Sequence, residues 1–293
     1  MKKIIYLDTK FVIGLAEQKE PEYKTLLSIM ESKKDSFLIP ASSVLLFEIS
    51  RIGDQGRRLA RTKVIDMFSD GRGVTPLIDT LLPEIDTAFK DFLSRNISPY
   101  KKHTLCFTRD ILGKVDTPLN IPFSELVEIA SSGRDIGQEE FENSEWAKTF
   151  NQTKLNNNEK KNKNYNDIFK QIVVDFMPII RKAVYYAITK NGKNINENNL
   201  IESFVSSQYF YSVPVLKVLA CWHSEKLHAD QGDVESNDYE DFQHLYAALS
   251  SCDVFATERH LRHIAVESLK FDTLFKTNII NSPKDLIKII EEL

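Results

Sequence analysis

The hydrophobic pattern changes period along the chain. Lys3 to Leu7 (KIIYL) is a continuous apolar run with β-branched residues between polar flanks, the signature of a strand buried on both faces of a parallel sheet. Residues 10–33 follow a helical period, broken near Pro21. Phe37, Leu38 and Ile39 predict a second strand that stops at Pro40. Ala41, Ser42 and Ser43 then open a helix with apolar Val44, Leu45, Phe47 and Ile49, and Ser42 or Ser43 can cap its first turn. Gly71 and Gly73 precede a predicted strand from Val74 to Ile78, followed by a helical pattern to about Phe92. This alternation predicts an α/β fold.

From about Asn96 helical periodicity dominates and the connecting stretches become long and polar. Residues 151–170 hold seven Asn and five Lys, a composition that resists burial and is locally basic. The α/β pattern resumes at Ser236. Ser236 or Asn237 can cap a helix running through Leu249, Asp253 to Thr257 reads as a strand leading into another helix, Phe275 to Ile280 as a last strand, and Asp285 to Leu293 as a terminal helix entered through Ser282 and Pro283. The expected organisation is therefore a core built from residues 1–95 and 236–293, interrupted by a helical insertion at 96–235.

Composition narrows the class. With 293 residues and 42% hydrophobic content the chain can bury a substantial core. Its net charge of −4 gives no global basic field, so any contact with phosphates must come from local patches or bound cations. Cys106, Cys221 and Cys252 lack the close spacings of zinc or redox sites, which fits a reduced, cytoplasmic setting. Asp8 and Lys10 interrupt the N-terminal apolar stretch before a signal core forms, and no run approaches the roughly 20 apolar residues of a membrane span. The sequence predicts a soluble protein without membrane contact.

The candidate chemistry lies in acids placed just after strands, because the crevice of an open α/β sheet lies beyond the carboxyl ends of its strands. Asp8 ends the first strand. Glu48 lies about two turns into the helix after the second, in a largely apolar stretch where an isolated carboxylate would be costly unless paired or bound to a cation. Asp238 and Asp241 are three apart and share a helix face near its N-terminus. Glu258 follows the strand that ends in Thr257. Asp253 precedes that strand, which places it at the opposite end, roughly 13 Å from the others at about 3.3 Å per residue, and it is excluded.

YLDT at 6–9, SSVLLFEISR at 42–51 and NDYEDFQHLYAALSSCDVFATERHL at 237–261 resemble, in order and in structural context, the three acidic motifs of PIN-domain nucleases. The resemblance covers roughly the first 95 and last 58 residues. It implies a PIN-like, Rossmannoid three-layer core with a mainly parallel sheet, Asp8, Glu48 and Asp241 as catalytic metal ligands, and Asp238 and Glu258 supporting them. It also implies endoribonuclease activity, with RNA favoured over DNA. Lys10 stands where the family often has Asn or Ser, and Glu258 where Asp is commoner. The interval between the second and third motifs exceeds that of compact members, which implies a specialised substrate surface. Oxygen ligands suit Mg²⁺ or Mn²⁺, and one or two such ions would yield 3′-hydroxyl and 5′-phosphate products without a protein nucleophile.

Basic residues flank these motifs: Lys10, Arg51, Arg57, Arg58, Arg61 and Lys63 on one side of the chain gap, Arg259, His260, Arg262 and His263 on the other. Lys10, Arg51, His244 and Arg259 are the candidate substrate contacts. His244 falls one turn beyond Asp241, where it can order a carboxylate, touch substrate or simply be a structural histidine. Tyr209, Phe210, Tyr211 and Trp222 read as core of the insertion in preference to base-stacking groups. A DNA or structure-specific nuclease and a non-catalytic binding module that docks a protein partner or second copy through the insertion are the alternative readings. An aspartyl phosphatase ranks below them, since Lys10 stands where such an enzyme needs a second Asp.

Overall fold

The computed structural model describes residues 2–113, 120–133, 151, 167, 169–170, 177–194, 199–228 and 234–293. Most of the Asn- and Lys-rich segment at 151–170 lies outside them. The chain divides into two compact units. The first draws on Met1–Pro76, Lys102–Glu145 and Ser236–Leu293, and the second on Leu77–Lys101 and Trp146–Glu235. This division differs from the expected boundary at residue 95: the helix beginning at Leu77 belongs to the second unit, and the segment from Lys102 returns to the first.

The first unit is α/β. Strands β1 (Lys3–Leu7) and β2 (Phe37–Leu38) are joined through helices α1 (Thr9–Glu17) and α2 (Pro21–Ser32). Helices α3 (Ser43–Ser50) and α4 (Gln55–Ser69) follow, then the two-residue strand β3 (Arg72–Gly73). Helix α5 (Leu77–Ser94) lies in the second unit, and after it β4 (Cys106–Phe107) and helix α6 (Phe123–Gly133) return to the first. The main sheet is completed by β5 (Val254–Ala256) and β6 (Asn278–Ile280), in the order β2-β1-β5-β6 with every pair parallel.

The strand order explains where a site can form. The chain leaves β1 for β2 on one side and returns to β5 on the other, so the order reverses at β1. That is a topological switch point, where connections diverge and leave a crevice at the carboxyl ends. Ile5, Tyr6 and Leu7 are fully buried, as the unbroken apolar run requires of a central parallel strand.

Local chemistry sets the helix starts. Asp8 accepts from Phe11 N–H at the start of α1, Ser42 from Leu45 N–H at the start of α3, and Ser282 from Asp285 N–H at the start of the terminal helix Pro283–Glu291, which packs on α2. Helix α1 packs against α4 and, through Gly14, against the Tyr23 ring of α2, while α6 covers α3 and α4.

Four sequence expectations need correction. The predicted strand Val74–Ile78 is instead the shorter β3 at Arg72–Gly73, followed by helix from Leu77. Pro76 cannot donate to a ladder, and the helical period of Leu81, Ile85 and Phe89 carries the helix back to that point. Phe275 closes a short helix, Phe271–Phe275, in which its ring meets Phe271 edge to face, so the last strand begins only at Asn278. The stretch after Asn96 does hold a strand, β4, which at two residues is too short to show a period. Asn237 lies inside the helix that begins at Ser236.

The described elements of the second unit are all helical: α5 (Leu77–Ser94), α7 (Met177–Lys190), α8 (Leu200–Val205), α9 (Gln208–Tyr211) and α10 (Pro214–His228). Phe89, Phe92, Phe204, Phe210 and Phe169 form a chain of ring contacts, and Phe210 and Trp222 are buried as expected of core. Glu84 is buried but accepts Val215 N–H in the first turn of α10 at 2.8 Å. Among the described residues no helix is long and apolar enough to cross a membrane.

Candidate functional site

Asp8 stands at the switch point and ties its two sides together. Its own N–H continues the sheet by donating to Ala256 carbonyl at 3.0 Å. Its carboxylate Oδ1 accepts from Phe11 N–H at 3.1 Å and Oδ2 from Glu258 N–H at 2.9 Å. One buried carboxylate thus caps α1 and fixes the turn after β5. Burial pushes the Asp8 pKa up, while the positive charge of His244 and the two backbone donors oppose that rise.

Glu48 projects from α3, the helix after the neighbouring strand β2. It is mostly buried, as its apolar setting suggested, and it is paired. Its Oε2 accepts from Thr9 Oγ1, the residue next to Asp8, and lies 2.9 Å from His244 Nε2. Burial disfavours its charge, yet His244, with Thr9 and Glu240 adding hydrogen bonds, holds the carboxyl below its usual range.

His244 is the hub. It sits on helix α11 (Ser236–Ser251), buried, with Nδ1 2.9 Å from Tyr6 Oη while Nε2 faces Glu48. Tyr6 Oη in turn lies 2.7 Å from Ser42 Oγ. Burial alone would keep the imidazole neutral, but Glu48, Asp8 and Asp241 overcome it and raise its pKa. The candidate substrate role of His244 is therefore corrected. The ring is enclosed by Tyr6 and Glu48, where the acids around it favour its protonated form.

The remaining candidates divide by what they touch. Asp241 lies close enough to His244 for its charge to be felt there. Asp238 lies in the first turn of α11, partly exposed. Glu258 meets Asp8 through its backbone N–H. Arg51 is not presented to solvent as the substrate reading expected; it forms an ion pair with Glu240 and is largely buried. Arg58 is likewise engaged, with Glu128 at 2.9 Å, and Arg61 with Glu17 at 3.2 Å. Lys10 and Arg259, by contrast, are exposed in the first turns of the helices after β1 and β5. Asp253 lies at the opposite end, accepting from Ile4 N–H at 3.0 Å and facing Lys102 at 3.6 Å.

Sequence reading missed Glu240. Burial pushes its carboxyl up, Arg51 pulls it back and the nearby Glu48 adds to the rise. The signal was present, because Glu240 and His244 are spaced i, i+4 on one helix face. Thr9 and Tyr6 are also part of the network, and only the fold shows this.

Among the described residues no group of three or more His, Cys, Asp or Glu side chains is already arranged to hold a metal ion. Charge and donor type nonetheless suit a hard cation. Asp8, Glu48 and Asp241 offer oxygen alone, and their combined negative charge is what draws His244 toward its protonated form. No family model, curated protein or solved structure matches the chain.

Proposed function

We propose that this chain is a PIN-like, metal-dependent nuclease that hydrolyses RNA phosphodiesters. The observation that carries the reading is the proximity of Asp8, at the switch point of the parallel sheet, to Glu48 on the adjoining helix: Thr9, next to Asp8, donates to Glu48, and His244 joins Glu48 to Tyr6 of the strand that Asp8 ends. Two acids from separate strand-to-helix connections, held by a dedicated polar network at the carboxyl edge, exceed what stability asks of them. Replacing such a network by apolar groups would often be neutral or stabilising.

Asp8, Glu48 and Asp241 would hold Mg²⁺ or Mn²⁺, with Asp238 and Glu258 in support; when bound, the ion supplies an activated water and stabilises charge on the leaving oxygen. The chain's own contributions are positional. Thr9 and His244 set the Glu48 carboxylate, and the two backbone donors set that of Asp8. Lys10 and Arg259, exposed at the same edge, would hold backbone phosphates on either side of the switch point.

The test is incubation of purified protein with end-labelled single-stranded RNA and DNA in Mg²⁺, Mn²⁺ or EDTA, beside Asp8→Asn and Glu48→Gln. RNA cleavage that requires the metal and both acids, leaving 5′-phosphates, supports the reading. Cleavage that survives EDTA or both substitutions overturns it, and preferential cleavage of DNA reassigns the substrate. The saturation of Glu48 by Thr9 and His244 favours one other reading, a binding module that keeps the fold without the chemistry. Binding of RNA with no cleavage in any metal would assign it.

A further inference from the structure

Beside the acidic site the first unit carries a small antiparallel ribbon whose exposed face is aromatic and cationic. In β3 and β4, Arg72 and Phe107 are direct cross-strand partners. Phe107 is 42% exposed. Two guanidiniums address the ring: Arg72 Cζ lies 4.8 Å and Arg109 Cζ 5.2 Å from its centroid. Arg72 is exposed, whereas Arg109 is largely shielded and faces Asp110 at 3.7 Å. Arg109 Nε and Nη1 donate to no hydrogen-bond acceptor among the described residues.

The ribbon is held rigidly. Gly71 adopts a left-handed φ of 64°, and its carbonyl accepts from Thr108 N–H at 3.0 Å and from Asn120 Nδ2 at 2.9 Å. Gly73 is pressed against Ile111, leaving no room for a side chain. The position is also fixed relative to the acids. Gly73 forms a parallel bridge with Ala41, the residue before Ser42, and Ala41 exchanges backbone hydrogen bonds with Arg72 and Val74. The ribbon therefore extends the line of strands from the carboxyl end of β2. Three strand spacings separate β4 from β1, roughly 14 Å.

We infer that Phe107 and Arg72 form a stacking platform for a base of single-stranded nucleic acid that crosses the carboxyl edge of the sheet. A base can extend the stack on the outer face of the Arg72 guanidinium or replace it on the ring, and Arg72 then serves a neighbouring phosphate. The inference rests on the nucleic-acid reading of the site, and adds to it a contact a few nucleotides from the acids that grips bases without reading sequence.

Binding is measured by fluorescence anisotropy in the Asp8→Asn background, which prevents cleavage, with a labelled oligouridylate and an abasic oligomer of the same length. Phe107→Leu is expected to weaken oligouridylate binding about tenfold and Phe107→Trp to preserve it, while the abasic oligomer is bound equally by all three. Arg72→Gln is expected to weaken both probes and to flatten the salt dependence by about 0.7 in the logarithmic slope. Far-ultraviolet circular dichroism and thermal melting matching the parent show that each variant is folded. Unchanged oligouridylate affinity in folded Phe107→Leu, or no binding of either probe, overturns the platform. Cleavage by the wild type without Phe107-dependent binding discards the platform alone. Phe107-dependent binding without cleavage discards the nuclease reading alone.

Discussion

His244 Nε2 lies 2.9 Å from Glu48 Oε2, and the partner nitrogen of the same ring lies 2.9 Å from Tyr6 Oη. The histidine that follows the acidic motif by one helical turn is thus enclosed in the protein, and it joins the central strand to the helix that carries the second acid.

Removing one member of this buried pair leaves the other uncompensated. His244→Asn is expected to cost about 3 kcal/mol of stability near pH 6, measured by urea unfolding. The pH dependence has a definite sign. The His244 pKa is raised, so its contribution is complete below the ordinary value of 6.5 and fades as pH climbs through the raised folded value. The Glu48 pKa is lowered, so its contribution is complete above 4.5 and fades as pH falls through the depressed folded value. The difference between wild type and His244→Asn should therefore be greatest between about pH 4.5 and 6.5 and shrink on either side. A difference that grows steadily above pH 8 would contradict a charged pair.

Thr9 touches Glu48 and stands beside Asp8, yet carries no charge. On the nuclease reading, Thr9→Val should lower RNA cleavage about 10- to 100-fold, the range typical of groups that orient a ligand, while Thr9→Ser keeps most activity. Initial rates across a metal titration check this. Equal loss in Thr9→Ser and Thr9→Val would show that the hydroxyl is not what counts.

Gly14 has a role that helix propensity would conceal. A Cβ at this position would collide with the Tyr23 ring. Gly14→Ala gains up to about 1 kcal/mol of propensity but meets an overpacking cost of about 1–3 kcal/mol. Net destabilisation in denaturant unfolding is the expected result, and it should reverse to stabilisation in a Tyr23→Leu background. Stabilisation by Gly14→Ala alone would show that the ring moves aside freely.

In the helical unit, Asp86 is buried and receives Lys190 Nζ at 2.8 Å, Asn191 Nδ2 at 2.8 Å and Lys90 Nζ at 2.9 Å. Burial opposes its charge, but the two lysines and Asn191 hold its carboxyl below the ordinary range. Asp86→Ala should cost about 2 kcal/mol, whereas Lys90→Ala, which removes a half-exposed partner, should cost under about 1 kcal/mol. Because the pKa is lowered, the Asp86 contribution persists above about pH 3.8 and is lost as pH falls through the folded value. Thermal melts of the variants at pH 7 and pH 3 distinguish the two substitutions.

The sequence alone determined the central strand, the starts of the helices that Ser42 and Ser282 cap, and the end of the sheet on which Asp8 and Asp253 each lie. These follow from local chemistry: an unbroken apolar run must be buried on both faces, Ser42 and Ser282 satisfy orphan amides, and the position of an acid before or after its strand decides its end. Asp253 and Asp8 could be told apart for that reason. Tertiary structure alone decided the strand order, and with it the switch point at β1, because pairing partners 249 residues apart leave no mark on local periodicity. It also decided the fate of each charge. Arg51 and Glu240 pair across 189 residues, and Glu48 and His244 across 196. Whether a basic residue faces a partner or solvent depends on which helix is packed beside it, so Arg51 and His244 turned inward while Lys10 and Arg259 remained at the surface.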